Sequence, residues 1–137
     1  MRMILGLASI LALGSIAGGL VSCSSKNNPV IGTFSGELNG SLAATGSQYS
    51  HTFANAGTFN YRCTIHPTCS TLQGTVTVVG ASVFIQNRVL AISITGGSSG
   101  PYGGSCSALS LTADSVHVGD QVVWTNNSPL PHTVTSR

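Results

Sequence analysis

The chain has 137 residues, and only 6% of them are charged, with five Lys and Arg against three Asp and Glu. A soluble domain normally carries about 25% charged residues, and five scattered cations cannot form the basic face that nucleic-acid binding requires. The 17 Gly, 20 Ser and 14 Thr argue against a helical bundle and are typical of a small all-β protein of one domain's length.

The first 22 residues have the layout of a secretory signal peptide. Arg2 gives a short positive head, and an apolar run from Ile4 to Leu20 follows it. The alternative is a transmembrane helix, but about 17 apolar residues lie at the short limit for spanning a bilayer, and the glycines weaken a helix. We therefore expect residues 1–22 to be removed on export.

The apolar run ends in Leu20-Val21-Ser22-Cys23, which resembles the lipobox of bacterial lipoproteins. The resemblance implies cleavage before Cys23 and attachment of a lipid to it, with residues 23–30 as lipidated N-terminus and tether. The alternative is an ordinary signal peptide with Cys23 as an incidental thiol. We expect a bacterial protein in the periplasm or at the cell surface, anchored to a membrane, where disulfides persist.

Short alternating stretches separated by turn residues fill the rest of the chain. In residues 58–63, Phe59, Tyr61 and Cys63 share one face, at the period of two expected for a strand. Trp124 alternates within another stretch and is expected in the core. Seven or eight short strands, with no helical stripe, predict a β-sandwich. The stretches are 47–53, 58–63, 75–79, 89–94, 107–118, 121–125 and 132–136.

One thiol and two imidazoles form a candidate metal site. Cys63 and His66 lie three residues apart in a loop after a predicted strand, and His132 follows a proline-rich turn. Two His and one Cys are the ligand set of a blue-copper centre. A structural zinc site normally closes with four strong ligands. His51 and His117 are expected to be surface or hydrogen-bonded histidines.

Two parts of the chain resemble cupredoxins of the plastocyanin and amicyanin type, and the matches cover nearly all of residues 31–137. Residues 61–67 (YRCTIHP) and 74–78 (GTVTV) look like the C-terminal copper loop of that family. Residues 118–127 (VGDQVVWTNN) and 131–135 (PHTVT) look like its central part. The resemblance implies an all-β, cupredoxin-type Greek-key β-sandwich that binds one type 1 copper through Cys63, His66 and His132.

The two parts occur in the opposite order to the family, since here the Cys loop precedes the His strand. This order indicates a circularly permuted single domain over 31–137, with 31–79 as the C-terminal half and 88–137 as the N-terminal half in family order. The resemblance places both family termini at the pole away from the metal, where a short linker can join them. The alternative is a fragment of two tandem domains.

The axial position departs from the common pattern of the family. Most members have Met two residues before the glycine that corresponds to Gly74, whereas this chain has Leu72. Leu72 would leave the copper three-coordinate, and Gln73 would offer an amide oxygen, as in plant relatives. The axial ligand tunes the reduction potential, so the two alternatives imply different potentials.

Cys69 has three interpretations: an axial sulfur, a second thiolate of a binuclear copper centre, or half of a disulfide. The binuclear spacing of the family fits poorly, because His66 lies between Cys63 and Cys69. In the implied fold, the glycine-rich loop 95–104 brings Cys106 to the copper pole. A Cys69–Cys106 disulfide is therefore preferred, and it would brace the ligand loop.

The resemblance implies a monomeric one-electron carrier and no enzymatic activity. Small redox proteins are the expected partners, docking transiently on an apolar patch flanked by Pro67, Pro129, Leu130 and Pro131. One alternative is a copper-binding protein for storage or delivery without electron transfer. Another is a metal-free structural or adhesive β-domain.

Overall fold

Ten β-strands and one turn of 3-10 helix account for the regular structure of the described part of the chain. The computed structural model describes residues 32–33, 36–83, 87–99 and 104–137. The strands, numbered in chain order, are β1 Gly32–Thr33, β2 Asn39–Leu42, β3 Gln48–Thr52, β4 Gly57–Arg62, β5 Gln73–Val79, β6 Val89–Gly96, β7 Ser107–Leu109, β8 Ala113–His117, β9 Gln121–Asn126 and β10 His132–Ser136, with the 3-10 helix at Ser70–Leu72. The predicted all-β sandwich is confirmed.

The strands form two mixed sheets. The first sheet has the order β2-β10-β4-β5-β8, with β1 pairing beside β4, and the second has the order β3-β9-β6-β7. The pairs β1–β4, β5–β8 and β6–β9 are parallel, and the other pairs are antiparallel. Each sheet contains strands from both predicted halves. β10 of the second half lies between β2 and β4 of the first, so the two halves share both sheets.

Periodicity located most strands within a few residues. The stretch 107–118 is two strands rather than one, because residues 110–112 turn the chain from one sheet to the other. Periodicity missed β2, which has a glycine on its buried side. A Cβ at Gly40 would overlap the ring of Tyr49, so this position accommodates a neighbouring aromatic ring and shows no apolar alternation.

The core lies between the sheets and is built from the alternating faces. Phe59, Tyr61 and Cys63 are all buried on one face of β4 and its extension. Trp124 is fully buried, as predicted, and its ring packs against those of Tyr49 and Tyr61 at centroid distances of 5.7 and 5.3 Å. Burial raises the pKa of Tyr61 to about 12, so its phenol stays neutral at physiological pH.

The predicted signal peptide (1–22) and lipid-anchored tether (23–30) lie outside the described residues. Within the described ranges, no helix is long and apolar enough to cross a membrane.

Candidate metal centre

Two segments that are distant in sequence meet at one end of the sandwich. Cys63 directly follows β4, and His66 lies in the loop that leads through the 3-10 helix to β5. His132 is the first residue of β10, which pairs with β4 at its other end. The antiparallel pairing of β10 with β4 therefore brings a histidine 69 residues away to the cysteine.

The ligand atoms have the spacing of a shared ion. Cys63 Sγ lies 3.5 Å from His66 Nδ1 and 3.7 Å from His132 Nδ1, and all three atoms lie within 4.8 Å of one another. Metal–sulfur bonds of about 2.3 Å and metal–nitrogen bonds of about 2.0 Å require sulfur–nitrogen separations of roughly 3.5–3.7 Å at tetrahedral to trigonal angles. The residues present therefore fit a bound metal ion.

The sulfur is buried and receives a backbone hydrogen bond. Cys63 is 3% exposed, and the N–H of Thr133 donates to its Sγ at 3.4 Å. The hydroxyl of Thr133 also accepts a hydrogen bond from the N–H of Thr64 at 2.8 Å and lies 2.9 Å from the hydroxyl of Thr64. These contacts join Thr64, which follows Cys63, to Thr133, which follows His132. They therefore fix the positions of Cys63 and His132 relative to each other.

The two histidines differ in environment. His132 is fully buried, and its Nε2 lies 2.9 Å from the Ser128 hydroxyl. Burial, with a smaller effect of the neighbouring His66, lowers the pKa of His132, which favours the neutral imidazole that binds a metal. His66 is partly exposed. His66 is therefore the candidate ligand through which solvent reaches the site.

The ligand loop is fixed by its own hydrogen bonds and by a disulfide. The N–H of Cys63 donates to the carbonyl of Leu72, and the N–H of Cys69 donates to the carbonyl of His66, each at 3.1 Å. The Cys69–Cys106 disulfide is present, with the Cα atoms 5.6 Å apart. It joins the loop to the start of β7. Among the described cysteines, Cys63 is the free thiol.

Leu72 and Gln73, the two candidates for an axial ligand, have different surroundings. Leu72 is 2% exposed and belongs to the core cluster that includes Cys63. The amide oxygen of Gln73 accepts a hydrogen bond of 2.6 Å from the guanidinium of Arg137 at the exposed surface. In this arrangement the Gln73 amide is engaged away from the buried sulfur.

The other two histidines lie outside this group. His51 Nε2 lies 2.9 Å from a carboxylate oxygen of Glu37, and His117 lies beside Asp120 at 3.7 Å. Both therefore have the hydrogen-bonded or surface positions that were expected of them.

Sequence reasoning missed Ser128, Thr133 and Thr64 as parts of the site. Serine and threonine make up a quarter of the chain, so their residue type alone carries no information. The useful clue was position, because Thr64 and Thr133 directly follow two of the predicted ligands.

Loops from both sheets form a cavity of about 390 Å³ beside His66. It is lined by the disulfide, by Leu130 and by hydroxyl-bearing residues that include Thr68, Ser98 and Ser105. Ile65, which precedes His66, is 48% exposed, and Pro67, Pro129 and Pro131 are exposed as well. The partly exposed histidine thus lies beside the cavity and next to exposed apolar residues of its own loop.

Comparison of the chain with protein-family models, with curated proteins and with solved structures finds no match. The functional argument therefore rests on the grouping of Cys63, His66 and His132 in an all-β sandwich, which is a candidate metal centre.

Proposed function

We propose that the protein is a type 1 copper protein that carries single electrons outside the cytoplasm. The observation that carries this proposal is the convergence of one buried thiol and two imidazole Nδ1 atoms within 4.8 Å. A His₂Cys set with a weak or absent fourth ligand is the set of blue-copper electron-transfer sites. A closed structural zinc site would call for a fourth strong ligand.

The protein's part in this function is to hold the ligands still. When bound, copper supplies a one-electron couple. Cys63 provides the thiolate, and the N–H of Thr133 directs a hydrogen bond at its sulfur. The Thr64–Thr133 contacts and the disulfide restrict movement of the two ligand-bearing segments. Ligands that keep one arrangement in both oxidation states make electron exchange fast, because little reorganisation is needed at the moment of reaction.

The fold proposed for this chain is a circularly permuted cupredoxin. The sandwich architecture and the position of the site at one end of it support this proposal. A second support comes from β4: the N–H of Arg137 donates to the carbonyl of Asn60, and Gly32 pairs with Gly57. In the unpermuted order Arg137 would be joined to Ile31, and these contacts place Arg137 and Gly32 three residues apart along β4.

Electron transfer would pass through the exposed side of His66. The exposed Ile65 and Pro67 flank His66 in sequence, and the exposed Pro129 and Pro131 flank Leu130, which lines the same cavity as His66. Exposed apolar residues of this kind suit a small and transient interface with a redox protein. A lipid on Cys23 would keep the monomeric domain at a bacterial membrane on the periplasmic or outer side. The short polar tether 24–28 is consistent with that arrangement.

Copper loading of the purified domain tests the site. The wild-type protein with Cu(II) should show intense thiolate-to-copper absorption in the visible, and Cys63→Ser should abolish it. His132→Ala should also lose the colour. His51→Ala is the matched control, because this histidine pairs with Glu37 outside the site, and it should keep the spectrum. A colourless wild-type complex, or colour that survives Cys63→Ser, would refute the proposal.

A second measurement separates a carrier from a storage or delivery protein. Stopped-flow mixing of the reduced, copper-loaded protein with an oxidised small redox protein should rapidly reduce that acceptor. The blue colour of the Cu(II) site should reappear at the same rate. A storage protein would instead exchange electrons slowly and release copper to a chelating acceptor. Slow electron exchange by a protein that has the predicted spectrum would favour storage or delivery.

A further inference from the structure

A chain of buried polar groups leads away from His132 on the side opposite the sulfur. His132 Nε2 lies 2.9 Å from Ser128 Oγ, and Ser128 Oγ lies 3.3 Å from Ser107 Oγ. The hydroxyl of Ser107 donates to the carbonyl of Gly96 at 3.0 Å. His132, Ser128 and Ser107 are each at most 1% exposed, so this chain is shielded from bulk water.

Counting protons along this series of groups indicates the direction of its hydrogen bonds. The carbonyl of Gly96 can only accept, and Ser107 has a single hydroxyl proton, which it donates to that carbonyl at 3.0 Å. The Ser128 hydroxyl proton then has two acceptors besides the imidazole, Ser107 Oγ at 3.3 Å and the carbonyl of Leu130 at 3.4 Å. Ser128 Oγ, having used its proton, accepts from His132 Nε2. Every donor finds an acceptor when His132 carries its proton on Nε2.

That proton placement matters for the metal site because His132 presents Nδ1 to the sulfur. A neutral imidazole carries one N–H, and a metal binds at the nitrogen that lacks it. The structure assigns to Ser128 the role of a positioning residue that holds His132 in the Nε2–H tautomer and fixes its ring, leaving Nδ1 available for the metal. This inference rests on the proposed metal site and goes beyond its three ligands.

Ser128 is itself held on all sides. Its N–H donates to the Asn126 side-chain oxygen at 2.9 Å, and its carbonyl accepts from the Thr45 hydroxyl at 2.7 Å. Its Oγ also accepts from the N–H of Leu130 at 3.0 Å. Asn126, which is fully buried, donates to the carbonyls of Leu42 and Leu130. The hydroxyl therefore has a fixed position toward the imidazole.

The Ser107 end of this hydrogen-bonded series is attached to the ligand loop that carries His66. Ser107 directly follows Cys106 of the disulfide, and the hydroxyl of Thr71 donates to the Ser107 carbonyl at 2.7 Å. Both imidazole ligands are therefore connected to the segment Cys106–Ser107. His66 is connected to it through its own loop and Cys69, and His132 is connected to it through Ser128. Ser107 is the residue whose loss should weaken the Ser128 contact without removing it.

The first test uses the copper-free protein, so that its result does not depend on the metal. Long-range ¹H–¹⁵N spectra at pH 8 should show His132 as a single Nε2–H tautomer in the wild type. Ser128→Ala should give a mixture of tautomers, whereas the exposed Ser50→Ala control should not. A single, unchanged Nε2–H tautomer in Ser128→Ala would overturn the inference.

The second test measures copper affinity by competition with a chelator. Loss of a hydrogen-bonding partner of a metal-ligating histidine typically costs 10- to 100-fold in affinity, and we expect a loss in this range for Ser128→Ala. Ser107→Ala should give a smaller loss, and Ser128→Thr, which keeps the hydroxyl, should retain most of the affinity. Equal affinities for the wild type, Ser107→Ala and Ser128→Ala would overturn the inference.

The two tests separate failure of this inference from failure of the proposed function. If the wild type binds no copper, the proposed function fails, while the tautomer of His132 in the copper-free protein still tests Ser128. If Ser128→Ala does not fold, the copper-free spectra of Ser107→Ala decide the matter. A shift toward mixed tautomers in Ser107→Ala would support the inference, and no shift would overturn it.

Discussion

At the scale of single residues, Leu72 and Gln73 are adjacent in sequence but their side chains lie in different surroundings. The Leu72 side chain is buried with Cys63 in the core, and its carbonyl accepts the Cys63 N–H. The Gln73 amide binds the guanidinium of Arg137 at the surface. Of the two axial arrangements that the sequence leaves open, we therefore predict the one without an amide ligand.

Leu72→Met tests this interpretation through the reduction potential. Leu and Met have similar volumes, so the exchange should cost less than about 1.5 kcal/mol of stability. A thioether at this position would stabilise Cu(II) as a weak axial ligand and lower the potential, with about 59 mV for each tenfold change in relative affinity. Protein-film voltammetry measures the potential. Gln73→Ala should leave it unchanged, and a large shift in that variant would instead indicate an amide ligand.

Asp120 is a second residue whose role follows from its contacts. It is 1% exposed and accepts the backbone N–H groups of His117 and Arg88, each at 2.9 Å. The His117 N–H is the main cause of its lowered pKa. The Arg88 N–H and the nearby His117 and Arg88 side chains act in the same direction, against the opposing effect of burial. The carboxylate therefore links the turn before β9 to Arg88, the residue that precedes β6, through hydrogen bonds.

The lowered pKa of Asp120 gives a signed prediction for acid stability. A carboxyl whose pKa is lower in the folded state contributes stability above its unfolded pKa of about 3.9, and this contribution is lost as the pH falls through the folded pKa. In urea titrations of the copper-free protein, Asp120→Asn should lose on the order of 1.5–3 kcal/mol at pH 7. The difference from wild type should shrink below about pH 4. A difference that is independent of pH would contradict this account.

The candidate metal ligands were predictable from the sequence because few residue types bind metals. Cys63 and His66 stood out by residue type and by their position after a predicted strand, and His132 stood out by residue type after a proline-rich turn. Ser128 did not, because its contact with His132 depends on the turn that precedes β10 and on Ser107 from another loop. The strand β2 was missed for a similar reason, since its buried glycine is explained only by the ring of Tyr49.

At the scale of structural elements, the ligand loop between β4 and β5 combines local and long-range restraints. Backbone hydrogen bonds close it at both ends, and the 3-10 helix leads its chain into β5. The disulfide then ties it to β7 in the other sheet. The loop therefore presents His66 from a braced segment, although its outer residues are exposed.

Removing the disulfide should weaken the site without removing a ligand. The bridge spans 37 residues, for which the loss of unfolded-state freedom corresponds to roughly 3–4 kcal/mol. The double variant Cys69→Ser with Cys106→Ser should lose stability of this order in chemical denaturation. It should still bind Cu(II) at the same three ligands, with lower affinity and a visible band. Unchanged stability and affinity would show that the bridge does not brace the loop.

At the scale of the whole molecule, the two halves of the sequence are interleaved. β10 lies between β2 and β4, and β8 closes the first sheet beside β5. The sequence indicated that the two halves share one domain only through a family resemblance, since periodicity locates strands but does not specify their partners. The pairing itself depends on tertiary contacts.

The proposed permutation predicts that the family order can be restored. A variant that joins Arg137 to Ile31 and opens the chain between Gly80 and Asn87 needs only a short linker, because Arg137 and Gly32 contact β4 about 10 Å apart. It should fold to a monomer with the near-UV circular dichroism of the parent protein. Failure to fold, or folding only as an exchanged dimer, would count against the permutation.

The central claim is that Cys63, His66 and His132 hold one copper ion. X-ray absorption spectroscopy at the copper edge of the loaded protein tests it most directly, because it counts the nearest neighbours by element and distance. The account predicts one short sulfur shell and two imidazole nitrogens, with the sulfur shell absent in Cys63→Ser. A wild-type shell of oxygen and nitrogen alone, or two sulfur neighbours at short distance, would contradict it.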